Sequence, residues 1–179
     1  MGVDKALLSL RGQPVIQLLA SRLRELTDQV LLSVSDRSAY AFLGLPAIID
    51  LYAGCGPMAG LHAAMHHARR RLILVLACDL PGVTTALLRL LVDSSAGFDA
   101  VIPVTADGRM HPACAVYARS SRAAVDLRLR AGDNRMLSLL DDPNLRVRRL
   151  TSHEGVFSDA ELCDMNSPGE YEQFRQLFG

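Results

Sequence analysis

The stretch RLILVLACDLP, residues 71–81, decides the reading of the fold. Residues 72–77 are apolar without interruption, and Cys78, a carboxylate and a proline follow. A run of this length, rich in branched side chains, predicts a strand covered on both faces by helices, as in a parallel sheet. Asp79 then falls just past the carboxyl end of the strand, where open α/β sheets bind their ligands. On this fragment alone Asp79 is either a ligand-facing carboxylate or a solvated loop residue before a turn proline.

Upstream, residues 46–49 predict a second buried strand, ending in Asp50. A loop over 51–57 then leads into a helix over 58–67. Earlier still, Pro14 suits a first helical turn, and Val15, Leu18, Leu19, Leu23 and Leu26 continue at helical spacing. A turn at Arg11-Gly12-Gln13-Pro14 precedes that helix, and a β-rich run over 29–34 follows it. Ser35-Asp36 reads as the start of a brief helix to Leu43. Downstream, a helix is predicted over 84–92, a strand over 98–104, a polar loop over 105–111 and a strand over 112–117. Further helices are expected over 120–131 and 134–140, and a strand over 145–150. Ser167-Pro168-Gly169-Glu170 is a capping box with proline at the first helical position, opening a helix to Leu177. This strand–helix alternation means an α/β fold: a three-layer α/β/α sandwich with a mostly parallel central sheet. The 179 residues fit one domain over 1–179.

Composition narrows the class. The 19 basic and 19 acidic residues cancel, so overall charge implies no polyanion partner. The basic runs at 69–71 and 146–149 lack interleaved aromatics and read as solvated ends of elements, so no nucleic-acid partner is expected. Four cysteines lie far apart with no CxxC pair, which points to a reducing compartment rather than to zinc or disulfides. No apolar stretch is long enough to cross a membrane and Lys5, Arg11 and Gln13 interrupt any leader, so a cytoplasmic protein is expected.

Asp50 and Asp79 each end a buried strand, and oxygen ligands of this kind suit magnesium shared with substrate phosphates. Residues 54–60, GCGPMAG, form a glycine-rich turn opening a helix, which either admits a phosphate or base to backbone N–H groups or is simply a turn. Lys5 is either a phosphate-neutralising point charge or a surface lysine. His62 and His66 have the i,i+4 spacing of a metal pair, but no third ligand is evident. His111-Pro112 is either a ligand contact or a strand-start turn. No nucleophile elbow exists, so hydrolase chemistry has no support.

Taken in order, MGVDKALL, the strand ending in Asp50, GPMAG, LACDLP, His111-Pro112 and DMNSPGEYEQF resemble the molybdenum cofactor guanylyltransferase family over essentially the whole chain. That resemblance implies the Rossmann-like nucleotidyltransferase fold of the glycosyltransferase-A type. The nucleotide half would be about residues 1–95 and the pterin-substrate half about 96–179. The implied reaction transfers GMP from GTP to molybdopterin-bound molybdenum cofactor and releases pyrophosphate. By resemblance Lys5 contacts the nucleotide phosphates, and Asp50 binds the guanine nucleotide. Asp79 holds Mg2+ and the nucleotide, and Asn166 lies near the pterin. Lys5 and Asp79 are thus the catalytic pair, with molybdoenzyme apoproteins or their chaperones as further partners. Two alternatives stay open: a cytidylyltransferase using CTP on the same cofactor, and a non-catalytic module that binds the pterin and hands it over.

The family pattern opens with a strand and a loop of the form LAGGxSxRMGxDKALL, of which this chain carries only the part from Met1 to Leu8. By that resemblance the first strand would lie outside this sequence, and a central sheet position is expected to be unpaired. Losing three charge-assisted hydrogen bonds from that loop, at roughly 1.5–3 kcal/mol each, would weaken nucleotide binding by several kcal/mol. Ser33 and Ser35 also stand where relatives often carry asparagine. One explanation places Met1 inside the RMG motif with the true start upstream; the other is a shortened chain. The first predicts that the codons just before Met1 encode a strand followed by GGxSxR, and sequencing a stop codon or unrelated residues there would remove it.

Overall fold

The computed structural model describes residues 4–34 and 38–178. In chain order its elements are β1 (Ser9–Leu10), β2 (Gln13–Pro14), α1 (Val15–Arg24), β3 (Leu32–Ser33), β4 (Ala47–Ile48), α2 (Gly56–His67) and β5 (Leu72–Leu76). There follow α3 (Thr85–Asp93), β6 (Ala100–Val104), β7 (Cys114–Ala118), α4 (Arg122–Arg130), α5 (Met136–Leu140), β8 (Val147–Thr151) and α6 (Pro168–Phe178). No helix among the described residues is long and apolar enough to cross a membrane.

The main sheet has strand order β5-β7-β6-β8. Alternation along each strand sorts side chains into two layers. Ile73, Ala100, Ile102, Ala115 and Tyr117 pack against Met58, Leu61 and Met65 of α2, Val125 and Leu129 of α4, and Leu139 of α5. Val101, Cys114, Val116 and Leu150 face the other way, against Leu87, Leu88 and Leu91 of α3. The sandwich therefore has three layers, as expected.

Three of the four strands share one direction, and the fourth is reversed. β5, β6 and β8 point one way, but β7 runs antiparallel to both β5 and β6 and lies between them, so the sheet is mixed. The cause is length. The connection over 105–113 is shorter than the dozen residues a parallel crossover requires, so β6 and β7 must be joined as a hairpin.

β3 and β4 are narrower than the runs 29–34 and 46–49, and they form a separate parallel pair. Ser35-Asp36, the expected helix start, lies outside the described residues, and Ser38–Leu43 is a 3-10 turn. Helix α2 starts at Gly56, two residues before the expected Met58, because Pro57 suits its first turn. The turn at Arg11-Gly12 has positive φ at both residues, 52° and 74°, and so closes the two-residue β1–β2 hairpin.

The outer edge of β5 pairs with no strand among the described residues, nor does the free edge of β3. A groove of about 540 Å³ separates them. It is walled by residues 27–31 on one side and Leu72, Ile73 and Leu74 on the other, with Ala64 and Ala68 of α2 among its lining. It leaves four of the five apolar residues of β5 only partly buried, whereas all of β6 is buried.

The histidine pair on α2 serves the contact with α4. The His62 side chain is 3 % exposed, and its Nε2 lies 3.3 Å from Asp126 Oδ1 and 3.3 Å from His66 Nε2. Tyr52 donates to the same Asp126 oxygen at 2.8 Å, and Arg130 pairs with the other at 2.8 Å. No group of three or more His, Cys, Asp or Glu among the described residues is arranged to hold a metal.

Burial, then the neighbouring His66 and Arg122, lowers the His62 pKa against the opposing pull of Asp126. The folded state thus refuses a proton that the unfolded chain accepts near pH 6.5, so stability is full above that pH and declines as pH falls towards the lowered value. The melting temperature should drop between pH 7 and pH 5, and His62→Gln should make that drop shallower. An identical pH slope in the variant, read by thermal denaturation, would contradict this assignment.

Candidate functional site

The site is built on the turn that follows β5. Ala77 makes the last rung of the strand, its N–H donating to Ala113 O at 2.8 Å. The chain then turns through Cys78 and Asp79 while Leu80, Pro81, Gly82 and Val83 bury. From α1, Arg22 donates to the carbonyls of Pro81 and Val83 at 2.7 and 2.5 Å, which fixes the far side of the turn. Gly82 has a spatial requirement, since a Cβ there would sit 2.9 Å from Ala160 O. Its bare Cα lets the segment after residue 158 close onto the turn.

That segment carries half the site. Met165 is fully buried with Leu10, Val15, Leu19 and Phe174, and its N–H donates to Asp79 O at 2.7 Å. With Met165 turned inward, the flanking Asp164 and Asn166 are less buried. Lys5 donates to Asn166 Oδ1 at 2.6 Å. Lys5 is itself placed by a 3-10 turn over Lys5–Leu7, capped where Asp4 Oδ1 accepts from Ala6 N at 3.0 Å, and Tyr40 OH donates to the other Asp4 oxygen. Below, Glu170 accepts from the N–H groups of Asn166 and Ser167, both at 2.7 Å, and Ser167 Oγ accepts from Glu170 N at 3.2 Å. The capping box read from the sequence is thus present, and it holds Asn166 as well as starting α6.

A second cation arrives from the β6–β7 hairpin. Thr105 Oγ1 donates to Asp107 Oδ1 at 2.6 Å, and Thr105 N donates to Arg109 O at 3.0 Å. Ala106 N donates to both oxygens of Asp159 at 3.1 Å. From this braced loop the Arg109 guanidinium donates to Asp164 Oδ2. On the same connection His111 is 6 % exposed, and its Nε2 is buried without a hydrogen-bond partner among the described residues. Burial and the Arg109 charge lower the His111 pKa, so the ring is held neutral.

Two carboxylates therefore face two cations. Burial, and next the negative charge of Asp164, raise the Asp79 pKa, while its backbone hydrogen bond, Lys5 and Arg109 oppose the shift. A carboxylate under this tension gains from a positive partner. Carboxylate oxygens in a pair fit magnesium better than zinc.

Of the residues read from the sequence, Lys5, Asp79 and Asn166 come together here. Asp50 sits elsewhere, in the β3–β4 pair, where its Oδ1 accepts from Ser33 Oγ at 2.8 Å. Gly60 of α2 closes on this pair, since a Cβ there would lie 2.8 Å from Ser33 Oγ and 3.9 Å from Asp50 Oδ1. Asp164 and Arg109 were not singled out from the sequence. Asp164 was detectable as the position two before Asn166, whereas Arg109 carried no signal beyond lying in a polar loop.

Residues 1–149 match the MobA-like NTP transferase domain family. The chain is 29% identical over 99% of its length to a probable molybdenum cofactor guanylyltransferase of Carboxydothermus hydrogenoformans, covering 90% of that protein. It is 30% identical over 99% of its length to a protein of the same name from Pelotomaculum thermopropionicum, covering 86% of it. In fold it resembles the molybdopterin-guanine dinucleotide biosynthesis protein A of Archaeoglobus fulgidus, with a TM-score of 0.81 and 24% identity, over 98% of this chain and 91% of that one.

Proposed function

Since the chain belongs to the MobA-like NTP transferase domain family and is a nucleotidyltransferase, we propose that it transfers GMP from GTP to the terminal phosphate of molybdopterin-bound molybdenum cofactor. Pyrophosphate leaves. The observation that carries this reading is the arrangement at the end of β5, where Asp79 and Asp164 are flanked by Lys5 and Arg109. The relatives named as probable molybdenum cofactor guanylyltransferases support the choice of nucleotide and acceptor.

The chemistry asks for charge control. An oxygen of the acceptor phosphate attacks the α-phosphorus of GTP, a P–O bond forms, and the bond to the β-phosphate breaks. The nucleophile is already ionised, so no general base is required, which suits a site without a catalytic dyad. The task is to bring two anions together in line. Asp79 and Asp164 would hold Mg2+, which supplies charge neutralisation on the phosphate oxygens when bound. Lys5 neutralises the triphosphate as a point charge. Its hydrogen bond to the neutral Asn166 amide keeps the ammonium in place without cancelling its charge. Asp50, fixed by Ser33, is the guanine-nucleotide contact, and Asn166 borders the pterin side.

Asp79→Asn tests the reading in two measurements. Pyrophosphate release with GTP, cofactor and Mg2+ should fall about a hundredfold or more, the size expected for removing one preorganised electrostatic group. The raised carboxylate pKa means that the charge is disfavoured in the folded state, so thermal stability should hold or rise at neutral pH. Near-normal turnover would remove Asp79 from the site. Wild-type protein that prefers CTP would overturn the choice of GTP, and cofactor binding without any pyrophosphate release would overturn transfer itself.

A further inference from the structure

We propose that Arg109 is the binding residue for the acceptor's phosphate, and that the Arg109–Asp164 ion pair is the resting form of that subsite. This rests on the transferase reading above and assigns its second substrate a place.

Arg109 carries more donors than its one partner uses. A guanidinium has five N–H groups in a planar fork that matches phosphate oxygens. Arg109 uses its fork on Asp164 alone among the described residues, and its side chain is 58 % exposed while that of Asp164 is 16 % exposed. One edge of the fork is anchored and the remainder faces solvent. The anchor is firm because the loop that carries it is tied at Thr105, at Ala106 and by His153 Nε2, 3.1 Å from Ala106 O. A cation with this little freedom at its base loses less entropy on capturing an anion.

His111 is the independent sign of a ligand. A buried ring nitrogen without a partner costs stability and is rarely left so. The charges of Arg109, Asp164, Asp107 and Asp159 all bear on this ring, which lies on the same β6–β7 connection as the guanidinium. A polar group of an incoming molecule would satisfy the orphan nitrogen.

Placement separates Arg109 from the nucleotide. Lys5 and Arg109 reach the same segment two residues apart, at Asn166 and Asp164, and two residues of chain span at most about 7 Å. That width admits two phosphate groups held for in-line attack, one on each cation. Lys5 enters from the chain start beside Asp79, and Arg109 enters from the β6–β7 hairpin on the other side. With Lys5 on the triphosphate, Arg109 falls to the acceptor.

The test measures binding directly, without turnover. Affinity for molybdopterin-type cofactor, read by quenching of pterin fluorescence with no GTP or metal present, should fall ten- to a hundredfold in Arg109→Gln. Arg109→Lys should fall between, because it keeps the charge and loses the fork. A pterin lacking the phosphate should bind wild type and both variants alike, and GTP affinity by calorimetry should change less than twofold. An unchanged cofactor affinity would overturn the assignment, and so would an equal loss for GTP, which would place Arg109 on the nucleotide. If Arg109→Gln melts well below wild type, the comparison rests on Arg109→Lys with the two pterins. Wild-type protein that binds cofactor but never releases pyrophosphate would instead overturn the transferase reading and leave the Arg109 comparison standing.

Discussion

The hydrogen bond from Met165 N–H to Asp79 O, at 2.7 Å, is the contact on which the site depends. It joins the turn after β5 to a segment 86 positions later in the chain, and neither part forms a site without the other. The bond is possible because Gly82 admits the carbonyl of Ala160 and because Met165 fills the cluster of Leu10, Val15, Leu19 and Phe174. Apolar burial supplies the free energy and the backbone hydrogen bond supplies the register. With that register set, Asp164 and Asn166 are presented beside Asp79 to cations arriving from elsewhere.

The sheet explains why those cations come from opposite sides. β7 lies between β5 and β6 and runs against both, so the hairpin connecting β6 to β7 emerges at the carboxyl end of β5 beside Asp79. On the other flank, the open edge of β5 faces the groove shared with residues 27–31. Lys5 is held across this region by contacts that do not involve a strand: the Asp4 cap, the burial of Ala6 with Ile16 and Leu43, and the bond to Asn166.

How much of this was legible in the sequence follows from which forces are local. The apolar run of β5 and the carboxylate after it are short-range features, and both stand where the sequence puts them. The same holds for α3, whose Thr84 hydroxyl accepts from Leu87 N at 3.1 Å, and for the capping box of α6. The direction of β7 was recoverable from loop length, although strand–helix alternation argued for parallel pairing. The short extents of β3 and β4 were not recoverable, since they depend on which edges find partners. Among site residues, Lys5, Asp79 and Asn166 were reached by resemblance and are joined by contacts across more than 80 positions. Arg109 and Asp164 were missed because their link is a side-chain ion pair 55 positions apart, and one-dimensional patterns do not encode such a distance.

The two cations differ in a way that bears on how such a site works. Lys5 rests on a neutral amide, so its charge is available to any anion that arrives. Arg109 rests on a carboxylate, so in the resting state its charge is largely neutralised by Asp164. A divalent ion at Asp79 and Asp164 would compete with Arg109 for Asp164, and coordination of that carboxylate to the metal would free guanidinium charge towards the acceptor side. The surroundings already disfavour the Asp79 charge, chiefly through burial and Asp164, so a metal bound there would relieve a tension that Arg109 only partly offsets. Metal binding and acceptor binding would then be coupled through one carboxylate, and by linkage each would strengthen the other.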